Sequence, residues 1–532
     1  MSLEIRVARA TGNRIVEDHL DGGASIRAFL AYDPHSAASY ERRAEDIDRR
    51  FPDGYAHLVG ALEPASQEGS TRLRAVVEER GFLVTTGHQA GLFGGPLMGV
   101  YKLLSAVRLA RDLEESLGRP VAPAFWVAAD DHDWDEARRT YLLDTSNDLV
   151  ELALPADPAG APTPPMSDRR LGPEVEPLLA RLEDILPATE FAPDLLASVR
   201  EAYTPQATVA GAFARLIGDL AGRFGVLLVD PAAEAVRALA APVLRAALDG
   251  AEAHETSFRE RSSALEEAGY HAQIPVLAGG TNLHFAGPLG RERIFRDDGG
   301  FRLRTSGTAM TLGELRAASD TPGALTAGAG LRPVLESALL PTLAYVGGPA
   351  EVAYFAQIEP LFSEFGMTPP VVVPRFSVTL VEGKIRKVLD RFGLEPDAFD
   401  RPAHEIAARV LREELPEHVQ SALRALRGAL GEGYGRLAQA AREIDPTLDG
   451  AIGSARNAAL KATEDLEKRI AQHSGGQRDI GLQQLRKAEA NLVPTGKAQE
   501  RVLNPLQYLV RYGATLLDDV LAAMGDTFAT VH

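Results

Sequence analysis

The first strongly patterned stretch of the chain is Gly81-Phe82-Leu83-Val84, a short apolar run that fits a buried strand. Upstream, residues 1–80 are polar and mostly helical in pattern. Leu73, Val76 and Val77 share one face of a helix that ends at Gly81. Downstream, Leu97 to Val107 is apolar at helical spacing and runs on through Leu109, Leu113 and Leu117. Gly118-Arg119-Pro120 is a helix stop signal, and Val121–Ala129 again reads as a buried strand. Strand, helix and strand make a βαβ unit, which implies a parallel sheet. Val226–Val229 supplies a third strand of that kind, with Asp230 expected to cap a helix beginning at Pro231.

Residues 151–205 are rich in Pro and Ala and read as an insertion with one or two helices. From Ile274 to Arg304 the pattern turns to short strands. Arg293–Arg296 and Phe301–Arg304 flank Asp297-Asp298-Gly299-Gly300, a hairpin signal. The main sheet resumes near Leu331-Arg332-Pro333, passes the glycine turn Gly347-Gly348-Pro349 and ends in Pro370–Pro374. Beyond Val381, helix formers dominate. Leu423, Leu426, Leu430, Leu437, Ile444, Leu448, Ile452, Leu466 and Ile470 recur at steps of three or four, or sums of these. Asp445-Pro446 caps a new helix within the series and Ser474-Gly475-Gly476 ends it, the pattern of an antiparallel coiled coil. Such an arm is expected to dimerise the protein, the alternative being a purely intramolecular hairpin.

The expected fold class is therefore α/β: a Rossmann-like parallel-sheet core with two inserted connecting segments and a C-terminal α-helical coiled-coil domain. The core takes residues 1–155, 206–275 and 331–380, and the insertions 156–205 and 276–330. The helical dimerisation domain spans 381–494, and 495–532 packs back on the core.

Composition narrows the partners. A net charge of −18 disfavours a nucleic-acid partner held by phosphate contacts. No apolar run approaches a membrane span and no signal pattern opens the chain, so a soluble cytoplasmic protein is expected. The absence of cysteine excludes disulfides, thiolate metal sites and a cysteine nucleophile.

Two strand ends carry the candidate chemistry. Thr85-Thr86-Gly87-His88-Gln89-Ala90-Gly91-Leu92-Phe93-Gly94-Gly95-Pro96 follows the first strand and opens a helix, as an anion-binding turn does. Its glycine spacing is neither the dinucleotide nor the P-loop pattern. The second strand ends in Asp130-Asp131-His132-Asp133, richer in ionisable groups than a helix cap requires. Neighbouring strands would bring both turns to one crevice.

Together these stretches resemble the BshC family, the cysteine-adding enzymes of bacillithiol biosynthesis. The matching segments are Thr86–Phe93 with Gly95-Pro96, Tyr101-Lys102, Phe125-Trp126 and Asp131-His132-Asp133. Leu331-Arg332-Pro333, Tyr345–Glu351, Phe365-Gly366-Met367, Val373-Pro374-Arg375 and Glu500–Asn504 follow in family order. One departure is Gly87-His88-Gln89, where many relatives read Gly-Gln-Gln.

The resemblance implies a ligase joining L-cysteine to the amino group of glucosaminyl malate, in a homodimer. It also implies an adenine nucleotide, ATP or ADP, and leaves room for Mg while assigning no protein metal site. In that reading His88, Gln89, Asp131, His132 and Asp133 are catalytic, with His132 as general base. Thr86, Gly87, Gly91, Gly95, Trp126, Tyr345, Gly347, Gly348, Glu351 and Arg375 bind substrate. Lys384, Arg501 and Asn504 bind the nucleotide. Another carboxylate-activating ligase or nucleotidyltransferase, a metal-dependent hydrolase and a coiled-coil scaffold are the alternatives.

Overall fold

The structure, a computed structural model, describes residues 2–297, 299–401, 405–406, 417–473 and 477–525. The chain forms two compact units, one of Ile5–Thr379 with Glu500–His532, the other of Met1–Glu4 with Leu380–Gln499.

The larger unit is built on a six-stranded sheet. Its strands are β1 (Glu63–Pro64), β2 (Phe82–Gln89), β3 (Val121–Ala128), β4 (Leu227–Val229), β5 (Thr342–Gly347) and β6 (Val371–Pro374). Their order is β6-β5-β2-β3-β4-β1, parallel throughout except for β1. The chain thus steps from β2 through β3 to β4 on one side, then returns to place β5 and β6 on the other. That reversal puts the topological switch point between β2 and β5, where open α/β sheets bind ligands. The strands are buried on both faces, which is why they read as continuous apolar runs.

Helix α1 (Leu97–Leu117) returns the chain from β2 to β3 and ends at Gly118 in the left-handed conformation, φ 61°. Two shorter helices flank β5: α2 (Arg332–Leu339) before it and α3 (Pro349–Glu364) after it. Between β3 and β4 lie a hairpin of Arg139–Leu143 with Leu149–Ala153 and the helices Val175–Ile185 and Ala192–Ala202. Between β4 and β5 lies a five-stranded antiparallel sheet spanning Gly280 to Ala327.

Three local readings change. Residues 1–80 contain a strand, Leu3–Arg9, as well as β1. Gly87-His88-Gln89 is not a turn but the end of β2, paired with β3 as far as Gln89↔Ala128. Gly87 makes that close approach possible, because a Cβ there would lie 2.9 Å from the Trp126 carbonyl oxygen. Asp230 caps a turn, its carboxylate accepting from the Ala232 N–H at 2.8 Å, and the helix begins only at Glu234.

In the smaller unit, α4 (Glu417–Arg442) and α5 (Leu448–His473) form a hairpin, and α6 (Gln477–Leu492) follows. Leu423 packs on Ile470 and Arg427 pairs with Glu467, so α4 and α5 run antiparallel. The helix stop expected at Ser474-Gly475-Gly476 lies outside the described residues.

Candidate functional site

The β2–β5 ladder ends at Thr85↔Tyr345, whereas β2 stays paired with β3 to Gln89 and β5 with β6 to Gly347↔Pro374. Beyond Thr85 and Tyr345 the two central strands are joined by the Thr86 hydroxyl, which donates to the Val346 carbonyl at 2.8 Å. The gap that opens above this bond is filled by a network of buried charges. Lys102, projecting from α1, donates to the Gly87 carbonyl at 2.7 Å and pairs with Glu351. Glu351, in the first turn of α3, accepts from the Gly348 N–H at 2.8 Å and from the Tyr345 hydroxyl at 2.5 Å. Arg332 donates to the Tyr345 and Tyr354 hydroxyls, both at 2.9 Å, and to Glu336 at 2.8 Å. Glu336 accepts in turn from the Thr85 hydroxyl, and the Arg332 guanidinium stands over the rings of Tyr345 and Trp126. Buried charges persist only when paired and hydrogen-bonded, and here each is. Burial would raise the Glu351 carboxyl, but Lys102, Tyr345 and Gly348 outweigh it and hold the group below its usual range. Glu336 goes the other way, burial raising it against the pull of Arg332.

Lys102, Arg332, Glu336 and Tyr354 were absent from the expected site. Lys102 did leave a signal, as the only charged residue in the apolar run Leu97–Val107. A cation there must find a partner inside the protein.

His88 points into the same region. Its Nδ1 accepts from the Gln89 N–H at 2.9 Å, so the proton of the neutral ring sits on Nε2. That Nε2 is buried and has no partner. Burial, reinforced by Lys102, lowers the imidazole to a pKa of about 3. At neutral pH His88 is therefore an uncharged donor beside Lys102 and Glu351. An anionic oxygen, of a carboxylate or a phosphate, is the group that satisfies it.

The glycine-rich loop plays a different part from the one expected. The Gly95 N–H donates to the Leu92 carbonyl at 3.1 Å and the Gly94 N–H to the Tyr203 hydroxyl at 2.9 Å. Tyr203 itself donates to the Gly91 carbonyl at 3.0 Å. Asn504 is buried beneath the loop and donates to the carbonyls of Phe93 (2.9 Å) and Gly95 (3.1 Å) and to the Thr140 hydroxyl (3.0 Å). Gly91 and Gly95 thus form a closed turn, with a Cβ on Gly91 meeting the Gly95 Cα at 2.9 Å, rather than an open anion cradle. Asn504 clamps this turn, and its oxygen accepts from Leu506 at 2.9 Å, so no group of its amide is left for a nucleotide. Arg375 is likewise committed: buried, it forms a two-pronged pair with Glu500 at 2.5 and 2.9 Å and donates to the Phe376 carbonyl. It ties the C-terminal segment to the core instead of reaching for substrate. Arg501 is exposed, and Lys384, in the smaller unit, pairs with Glu382 at 3.0 Å.

The acidic cluster after β3 is a second network. Asp131 folds over its own turn, accepting from the N–H groups of His132 (2.6 Å) and Asp133 (3.2 Å). Asp133 caps the short helix Trp134–Ala137 through Glu136 N–H at 3.1 Å. Arg291, from the five-stranded sheet, donates to His132 Nδ1 at 3.3 Å. A guanidinium only donates, so the basic lone pair of neutral His132 is occupied and its proton lies on Nε2. Burial and Arg291 lower its pKa. The expected general base is thus a second neutral donor. Among the described residues no three His, Asp or Glu side chains gather as metal ligands. Nor is any helix among them long and apolar enough to cross a membrane.

Residues 1–376 match the family described as Bacillithiol biosynthesis BshC, N-terminal Rossmann-like domain. Residues 378–529 match its C-terminal coiled-coil domain. Relatives described as candidate cysteine ligases BshC align along most of the chain. That of Salinibacter ruber is 34% identical over 444 residues, 83% of this chain and 80% of its own. That of Koribacter versatilis is 33% identical over 522 residues, covering 96% and 95%. That of Solibacter usitatus is 32% identical over 491 residues, covering 92% and 90%.

Proposed function

The chain belongs to the BshC family of bacillithiol biosynthesis, and on that premise we propose that this ligase joins the carboxyl of L-cysteine to the amine of glucosaminyl malate. The observation that carries the reading is the buried, unpartnered Nε2–H of His88 beside Lys102 in the switch-point crevice. A neutral donor there offers an oxyanion a hydrogen bond that no protein group takes. When bound, an adenine nucleotide supplies the activating group that makes the cysteine carboxyl electrophilic. His88, with the ammonium of Lys102 behind it, would hold its anionic part, while Arg332, Tyr345 and Glu351 keep the crevice wall in place. His132 Nε2–H is the second donor for negative charge developing on the acyl oxygen. With the carboxyl oxygen made a leaving group in this way, the amine would take its place on the acyl carbon, the C–N bond forming as that C–O bond breaks and the amine proton passing to solvent. The test is to incubate the purified protein with cysteine, glucosaminyl malate and ATP and follow product by mass spectrometry. An amide of the summed masses less one water is expected; both substrates unchanged with ATP and with other nucleoside triphosphates would overturn the proposal.

The same reading takes the chain as a cytoplasmic homodimer joined by the helical hairpin. What supports this is apolar surface left open on α4, α5 and the turn between them. Leu437 is 53% and Ile444 83% exposed, with Leu426 at 41%, Leu448 at 39% and Leu466 at 46%. Burying such a side chain is worth about 1.5–3 kcal/mol. Leu437→Glu with Ile444→Glu should convert a dimer to a monomer in light scattering, leaving thermal unfolding of the core little changed. A wild-type monomer at micromolar concentration would refute the assignment.

A further inference from the structure

The antiparallel sheet between β4 and β5 alternates cleanly along its strand Gly290–Asp297. Glu292 and Ile294 are buried on one face, and Arg291, Arg293 and Phe295 lie on the other. Arg302, in the neighbouring strand Gly300–Leu303, stands directly across from Phe295. Just beyond it the Arg304 N–H donates to the Arg293 carbonyl at 2.9 Å. The guanidiniums of Arg293 and Arg304 stand 5.5 and 5.9 Å from the centre of the Phe295 ring. Phe295, Arg304 and Leu277 line an open cleft of about 390 Å³, within the range of small-ligand sites, roughly 300–1,000 Å³.

Most cations of this sheet are neutralised. Arg302 pairs with Asp297, Arg296 with Glu255 at 2.6 Å, and Arg291 has Asp130 and Asp131 near it. Arg293 and Arg304 differ: among the described residues neither pairs with a carboxylate. Arg293 donates to the Thr281 carbonyl at 3.0 Å, and burial with the repulsion of Arg304 holds it below its usual range. Two like charges left facing each other, in a chain of net charge −18, call for a counter-anion. The face is also continuous with the candidate site. His284 stands across from Arg293, and its ring lies 6.1 Å from that of His132. Arg291, which donates to His132, precedes Arg293 by two residues, about 6.6 Å along the strand.

We infer that this face holds the acceptor substrate by its dicarboxylate end, Arg293 and Arg304 each taking one carboxylate and Phe295 lying against the carbons between. A guanidinium offers a carboxylate two parallel N–H donors. Two such forks side by side suit two carboxylates on a short carbon chain, as in a malyl group. In glucosaminyl malate the malyl group and the amine sit on neighbouring ring carbons, so an acceptor anchored here directs its amine back along the strand toward His132. The inference rests on the ligase reading for the identity of the acceptor, but binding can be measured without ligation.

The test is calorimetric titration of the full chain with glucosaminyl malate, with methyl glucosaminide, which lacks the malyl group, and with inorganic phosphate. Wild type should bind glucosaminyl malate at least tenfold more tightly than methyl glucosaminide. Arg304→Gln, at an exposed position, should erase that ratio, and Arg293→Gln likewise. Arg316→Gln removes a charge from the same insertion, where Arg316 pairs with Asp249 at 2.8 Å, and should keep the ratio. In the ligation assay Arg304→Gln should raise KM for the acceptor about tenfold with kcat little changed. A wild type without the discrimination, an Arg304→Gln protein that keeps it, or phosphate bound as tightly as glucosaminyl malate and lost in the same variant overturns the inference. Discrimination that depends on Arg304, with no product in the ligation assay, would instead count against the proposed reaction alone.

Discussion

Gly99→Ala is expected to lower ligation about 100-fold while leaving the fold intact. Gly99 sits in the first turn of α1, where an added Cβ would stand 2.4 Å from His88 Cδ2 and 3.4 Å from its Cγ and Nε2. No carbon tolerates 2.4 Å, so the imidazole must swing aside. It then gives up the Gln89 N–H that sets its tautomer, and Nε2–H leaves its place by about an ångström. A displacement of that order in a catalytic group costs about 10²-fold in rate. Helix propensity works the other way, alanine being favoured over glycine by about 1 kcal/mol in a helix interior, so global stability should change little. The double variant separates positioning from a general packing effect: in a His88→Ala background, Gly99→Ala should add almost nothing. Full activity in the single variant, or an equal loss in both backgrounds, would show that Gly99 does not act through His88. His88→Gln, which keeps a neutral N–H donor, should retain more activity than His88→Ala.

The second large effect is acid sensitivity. Burial lowers His19 to a pKa of about 4, His88 to about 3 and His284 to about 2. An unfolded histidine titrates near 6.5, so below that pH the unfolded chain takes up protons that these three sites refuse. Stability from this source is complete above pH 6.5 and falls as the pH drops toward the folded values. Three such protons give a slope of about 4 kcal/mol per pH unit near pH 5. Carboxylates raised in the folded state, such as Asp130 and Glu336, oppose part of it. The difference between variants is therefore the clean measure. His88→Gln should be less acid-sensitive by about 2 kcal/mol between pH 6.5 and 5, read from urea midpoints at each pH. Parallel curves for the two proteins would mean that His88 is protonated in the folded state.

Much of the architecture was legible before the structure. Phe82–Val84, Val121–Ala128, Leu227–Val229 and Val371–Val373 are apolar because both faces of a parallel sheet are covered, so each announced itself as a strand. The coiled-coil series was equally visible, its period arising from local helix geometry alone. The family reading, drawn from motifs spread along the chain, is borne out by the two matches that together span residues 1–529. The strand Leu3–Arg9 did carry a signal, Leu3, Ile5 and Val7 alternating with Glu4 and Arg6, although its residues end only half buried. The end of β2 was hidden because Gly87-His88-Gln89 has turn composition, and only pairing with β3 keeps it extended.

By itself the sequence determined the order of elements, the βαβ handling of β2 and β3, and the clustering of functional residue types at strand ends. Those features depend on periodicity and on short-range stops. It determined Tyr345, Gly348 and Glu351 as neighbours too, since one strand end and one helix start hold all three. Which polar groups remain open was decided only by tertiary structure, because a hydrogen bond between distant segments leaves no trace in spacing. Asn504 reaches back some 400 positions to clamp the glycine loop, and Glu500 closes on Arg375, removing both from the list of free groups. The sheet order placed the crevice between β2 and β5, where Lys102 and Arg332 complete it, and left His88 Nε2–H without a partner. That unsatisfied donor, more than the glycines around it, is what the fold presents to an anion.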